Sequence, residues 1–227
     1  MNRTSYVALL RAINVGGRNQ IKMAALRELF AAMGYGDAQT YIQSGNVVFR
    51  AAEAEQPLRQ RIEGEIAAAF GIPVTVALRT ADEMARIMLT SPYPPDGLAE
   101  GESLYVAMLV ELPASQGIER LLASETAPDE FRVVGREVYL LYRRTMRDTK
   151  LTNALLEKRL GVPATSRNWR TMTTLAAMSA DLTPQPPLPP GEGEPEGQAQ
   201  GGRGGVCRLK LRRAAGQGEV RQSRNSF

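Results

Sequence analysis

Hydrophobic positions change period repeatedly between Tyr6 and Met178. Tyr6–Asn14 is mostly apolar and suits a central strand, which Gly16-Gly17 breaks. Met23, Leu26, Leu29, Phe30 and Met33 then recur at helical spacing, with Gly34 where a C-terminal cap belongs. Gln39–Ile42 and Val47–Phe49 read as short strands joined by a Ser44-Gly45-Asn46 turn. Leu58, Ile62, Ile66 and Phe70 mark a second helix closed by Gly71, and Pro73–Leu78 is the next strand. Thr80 and Glu83 have capping-box spacing ahead of a third helix with Met84, Ile87 and Met88 on its apolar face.

The pattern then repeats. Ser91–Gly97 has linker composition, and Leu104–Leu112 echoes the first strand. Ile118, Leu121 and Leu122 form a helical face. Phe131–Val134 and Val138–Tyr142 form a hairpin across Gly135-Arg136. Leu151, Leu155, Leu156 and Leu160 mark a helix closed by Gly161, and Gly161–Thr165 echoes Gly71–Thr75 before a last helix over Thr171–Met178. Each half reads β-α-β-β-α-β plus a trailing helix. The expected fold is therefore α+β, with two tandem ferredoxin-like halves, each an antiparallel sheet with helices on one face. The alternative is one mixed sheet shared by both halves. The divisions are residues 1–90, a linker over 91–102, a second half over 103–182 and a tail over 183–227.

Composition narrows the chemistry. The tail holds six of the 14 prolines and nine of the 21 glycines, which predicts disorder. It also carries seven Lys+Arg and four Asp+Glu, leaving 21 basic and 20 acidic residues in the body, a net charge of +1. That balance weighs against nucleic-acid binding by the folded body. With no histidine, the sequence excludes Ser-His-Asp and Cys-His catalysis and histidine metal sites; a single cysteine, Cys207, excludes a disulfide framework. No metal or cofactor is expected. Any catalyst has to use carboxylates, Lys, Ser or Tyr, so whether there is a reaction stays open. No run is long enough to cross a bilayer and the N-terminus does not read as a signal peptide, so the expected compartment is the cytoplasm.

The blocks YVALLRAINVGGRNQIKMAALR, TYIQSGNVVF and GVPATSRNWRTMTTLAAM, in that order, resemble the bacterial family known as domain of unknown function 1697. The likeness spans about Tyr6 to Met178. It implies a cytoplasmic α+β protein with two ferredoxin-like halves, and no known reaction. Ser166 stands where threonine is commoner in the family.

Polar residues gather at two places. In this topology the first two strands run parallel, which brings Arg11, Asn14, Gly16 and Gly17 to the same edge as Gln43, Ser44 and Asn46. The matching edge of the second half, Glu111-Leu112-Pro113 and Val134-Gly135-Arg136, is less polar. The first edge is thus a candidate pocket for a small anionic or polar ligand, with glycine amides and a following helix N-terminus supplying donors. The plain alternative is a sharp turn whose asparagines bond to loop backbone. Arg167-Asn168-Trp169 is the second candidate, as an indole and guanidinium platform. Its alternative is a core tryptophan beside a helix cap. RNA or single-stranded DNA binding on the sheet, and a protein-interaction or structural role, are the other function classes. The acidic pairs, Asp129-Glu130 among them, read as solvated faces or caps. Tyr139 and Tyr142 read as one core and one surface residue.

Overall fold

The computed structural model describes residues 3–143 and 149–182. The tail from Thr183, including Cys207, lies outside the described residues. In the first half, β1 (Thr4–Leu10) is the central strand, paired antiparallel with β3 (Asn46–Ala51) and β4 (Val76–Thr80). β2 (Gln39–Tyr41) adds outside β3, giving the order β2-β3-β1-β4. The second half repeats this with β5 (Ser103–Leu109), β6 (Glu130–Val134), β7 (Glu137–Tyr142) and β8 (Ala164–Asn168), in the order β6-β7-β5-β8. Two separate four-stranded sheets result, which rules out a single mixed sheet.

Why β1 is apolar throughout follows from the layering. Tyr6, Ala8 and Leu10 face one core with helices α1 (Met23–Ala32) and α2 (Glu55–Phe70). Val7 and Leu9 face the opposite way, into a central core shared with Val106 and Met108 of β5. Beyond the second sheet, α4 (Ser115–Leu122) and α5 (Asn153–Leu160) cover Ala107, Leu109, Val138 and Leu140. The trailing helices, α3 (Ala81–Leu89) and α6 (Trp169–Asp181), complete the central core, and α6 packs on β1 and β3 as well as on β5 and β8. Both halves therefore lie within one compact unit.

Helices were expected on one face of each sheet; the trailing pair also covers part of the other. Tyr139 and Tyr142 are both buried, against the expectation of one at the surface. Tyr139 enters the central core and donates to the Ile87 carbonyl (2.9 Å), while Tyr142 enters the outer core and donates to the Leu151 carbonyl (3.0 Å). Neither face of β7 meets water, so alternation no longer separates core from surface. Asp129 is also buried, accepting from the Arg143 amide, and is not a solvated acid. The strand expected at Pro73–Leu78 begins three residues later, at Val76. Gly71 and Gly161 both end their helices in the left-handed conformation, yet four residues separate Gly71 from β4 and two separate Gly161 from β8. The Gly-Ile-Pro and Gly-Val-Pro echo is thus offset by two from the strand register.

That register identifies equivalent positions. Val7 pairs with Arg79 and Val106 with Arg167, while Leu9 pairs with Asn46 and Met108 with Glu137. Each equivalent arginine crosses to the other half. Arg79 is fully buried and donates through Nε to Glu137 Oε1 (2.7 Å) and through Nη2 to the Leu109 carbonyl (2.8 Å). Arg167 donates through Nε to Asn46 Oδ1 (2.6 Å) and through Nη2 to the Leu10 (3.0 Å) and Ser44 (2.8 Å) carbonyls. Two reciprocal latches thus join the halves.

Two outcomes follow for stability. Arg79→Ala strands a buried carboxylate, removes a donor from the Leu78, Leu109 and Arg136 carbonyls, and should lower unfolding free energy by about 3–5 kcal/mol; a urea midpoint within error of wild type would refute the latch. Gly45→Ala should also destabilise, because Gly45 has φ of 77° and its Cβ would sit 2.5 Å from Ile13 Cδ1. A thermal melt no lower than wild type would count against that close packing.

Candidate functional site

At the first edge, Asn14 ties the loop after β1 together. Its Nδ2 donates to the Ile21 (3.0 Å) and Gln43 (2.8 Å) carbonyls, and its Oδ1 accepts from the Ile21 amide (2.8 Å). Closing residues 14 and 21 against each other forces Val15–Arg18 into a small hairpin, with the Arg18 amide donating to the Val15 carbonyl (3.1 Å). Gly16 and Gly17 form its tip with φ of 59° and 76°, as a two-residue hairpin turn requires. The glycines do not lead directly into a helix as expected. Helix α1 starts at Met23, and its preceding residue, Lys22, makes no side-chain cap.

The seven first-edge candidates therefore divide. Asn14, Gly17 and Gln43 line a shallow cleft of about 350 Å³ with Lys22, and Gly16 sits at the exposed tip. Arg11 and Ser44 line a cleft between the halves instead, as does Arg167, while Asn46 is fully buried and bonded to Arg167. Asn168 and Trp169 do not line that cleft. Asn168 caps α6, its Oδ1 accepting from the Thr171 amide (2.8 Å), and Trp169 packs on the central core.

The inter-half cleft has a volume of about 440 Å³. The end of β1 and the loop to Val15 form one wall, and α5 with β8 forms the other. Glu157 of α5 takes both Nε (2.6 Å) and Nη2 (2.7 Å) of Arg11, and its Oε1 also accepts from the Ala164 amide (2.9 Å). Nη1 of Arg11 has no protein acceptor among the described residues. Asn46 is fully buried and holds the turn through Nδ2, which donates to the Tyr41 carbonyl (2.9 Å) and Ser44 Oγ (3.1 Å). The Ser44 hydroxyl proton is left for another acceptor.

The two edges differ in charge balance. At the second edge, burial lowers the Arg79 pKa while the carboxylate of Glu137 opposes that fall. Arg136, beside it, is held by Glu55 (2.5 Å) and Glu83 (2.7 Å). At the first edge Asn46 stands where Glu137 stands in the other half. Arg167 faces neutral acceptors only, and burial alone brings its pKa down to about 10, which still leaves it a cation at neutral pH. The backbone differs as well. Among the described residues, the four non-glycine residues with positive φ are Ala12 (55°), Asn14 (54°), Asn19 (50°) and Ile42 (47°), all at the first edge. The second edge has Gly135 alone. Left-handed conformations at alanine and isoleucine are strained, and such strain clusters at functional sites.

Glu157, Arg79 and Glu137 were not among the sequence candidates. The two arginines share a signal: each immediately precedes the cap of a trailing helix, as Arg79-Thr80 and Arg167-Asn168. No group of three or more His, Cys, Asp or Glu residues converges among the described residues. No helix among them is long and apolar enough to cross a membrane.

Comparison with known proteins agrees with this architecture. The chain is similar in fold to the conserved bacterial protein SP0830 from Streptococcus pneumoniae, with 22% sequence identity and a TM-score of 0.66. That similarity covers 78% of this chain and 99% of the other. No curated protein matches the sequence. The family described as "Protein of unknown function (DUF1697)" matches residues 3–139, over half of the chain, and the chain belongs to that family.

Proposed function

We propose that the chain is a binding module for a small anionic or polar ligand, seated at the edge formed by Arg11–Gly17 and Gln43–Asn46. One observation carries this reading: the duplicated latch keeps its carboxylate at Glu137 and lacks one at Asn46, so the cleft beside Arg167 has an uncompensated buried cation. A buried charge without a partner is unfavourable, and an anion entering the cleft relieves it. Arg11 Nη1 and the Ser44 hydroxyl supply direct donors at the cleft wall. The strained loop carrying Ala12 and Asn14 fits the same reading, because binding sites keep costly conformations that plain turns do not need.

Nucleic-acid binding by stacking on a sheet has less support. Ferredoxin-like sheets that bind RNA do so through an exposed face. Here Val7, Leu9 and Val48 of one sheet and Val106, Met108 and Tyr139 of the other are buried in the central core.

The test is a thermal-shift and calorimetric panel of phosphate, carboxylates, sugar phosphates and nucleotides on the full chain. A ligand at a hundred times its dissociation constant should add about 2.7 kcal/mol to stability, a shift of a few degrees. The Arg11→Ala variant should fold and lose that shift. Equal shifts in wild type and the variant, or none from any anion, would reject this site.

A further inference from the structure

We infer that the ligand's head is a single carboxylate on a small apolar body, and that Asn46 is the residue that keeps its place open. The inference rests on the binding reading above and concerns the same cleft. Charge sets the head group. The cleft holds two cations, Arg11 and Arg167, and one anion, Glu157, which is fixed by Arg11 and the Ala164 amide. One negative charge brings the site to neutrality, as Glu137 does for Arg79 in the other half. A doubly charged phosphate ester overshoots it beside a carboxylate that cannot move away.

The donors divide the work. The five N–H groups of Arg167 are met by Asn46, the Thr165 hydroxyl and the backbone carbonyls of Ser166, Leu10 and Ser44. Arg167 therefore acts on the head through space, and burial strengthens its field. Arg11 Nη1 and the Ser44 hydroxyl remain to bond the carboxylate oxygens directly. Shape sets the body. Ala12, Ile13, Val15 and Ala154 also line the cleft, and Val15 is 65% exposed. An exposed valine beside two arginines suits an apolar chain of a few carbons, and the volume of about 440 Å³ exceeds what a bare carboxylate fills.

Asn46 decides whether this place exists. It occupies the same register position as Glu137, opposite the equivalent residue of the central strand. A glutamate there would supply the counter-charge from within the protein and exclude the ligand's. An asparagine keeps the hydrogen bond to Arg167 and withholds the charge.

The experiment titrates the full chain with straight-chain monocarboxylates from acetate to octanoate, with alkyl phosphates and alkylamines of matched length alongside. Wild type should bind carboxylates, more tightly as the chain lengthens, and bind amines not at all. Asn46→Glu should weaken carboxylate binding by about tenfold or more, the size of one lost charge pairing, while Asn46→Gln stays near wild type. Equal binding by the two variants would overturn the role of Asn46. Phosphates binding more tightly than matched carboxylates would overturn the head group and leave the binding reading standing. No binding by any anion would overturn both. If circular dichroism finds either Asn46 variant unfolded, Arg11→Ala decides: undiminished carboxylate affinity there overturns the inference.

Discussion

The buried guanidiniums of Arg79 and Arg167 are what allow two sheets to share one core. Each ferredoxin-like half has a sheet face that its own first two helices do not cover. Apposing those faces buries the ends of β1 and β5. Leu10 and Leu109 end these strands, and an arginine from the opposite half meets the carbonyl of each one. The same side chain also reaches the adjacent turn, at Ser44 in one half and Arg136 in the other. One residue per half therefore satisfies a strand end, fixes a turn and joins the sheets. An arginine suits this because its planar fork spreads five donors over several acceptors.

Most of the architecture was legible in the sequence because it rests on local signals. Helical periodicity located α1 and α2, the left-handed glycines at 71 and 161 ended their helices, and the Thr80–Glu83 box opened α3. The illegible part was how the halves meet. The pair Tyr139 and Tyr142 was misjudged because alternation along a strand separates two faces and cannot reveal that both are covered. The form of the glycine loop was hidden for a related reason. Gly16-Gly17 between a strand and a helix resembles a ligand cradle, yet the Asn14 side chain closes the loop back on Ile21 and turns the glycines into a hairpin tip. Residues as distant as Asn46 and Arg167 were both singled out, but nothing in their spacing said that they touch. Only the duplicated register, compared position by position, connects them.

The two latches differ in one respect: Glu137 faces Arg79, and Asn46 faces Arg167. If both were purely structural, the cheapest arrangement would use the same carboxylate twice, since a buried cation without a counter-charge stays unfavourable even when every N–H is bonded. The second half follows that arrangement, with Glu137 on Arg79 and two further carboxylates on Arg136. The first half departs from it at the edge where strained backbone, an arginine with an unused nitrogen and an open cleft coincide. A duplicated fold offers this division naturally. Both copies hold the halves together, but Arg79 does so with a carboxylate partner and Arg167 with neutral acceptors. Under the proposed function the neutral residue at position 46 is a stability cost offset by an external anion, whereas the second edge carries its counter-charge within the protein at Glu137.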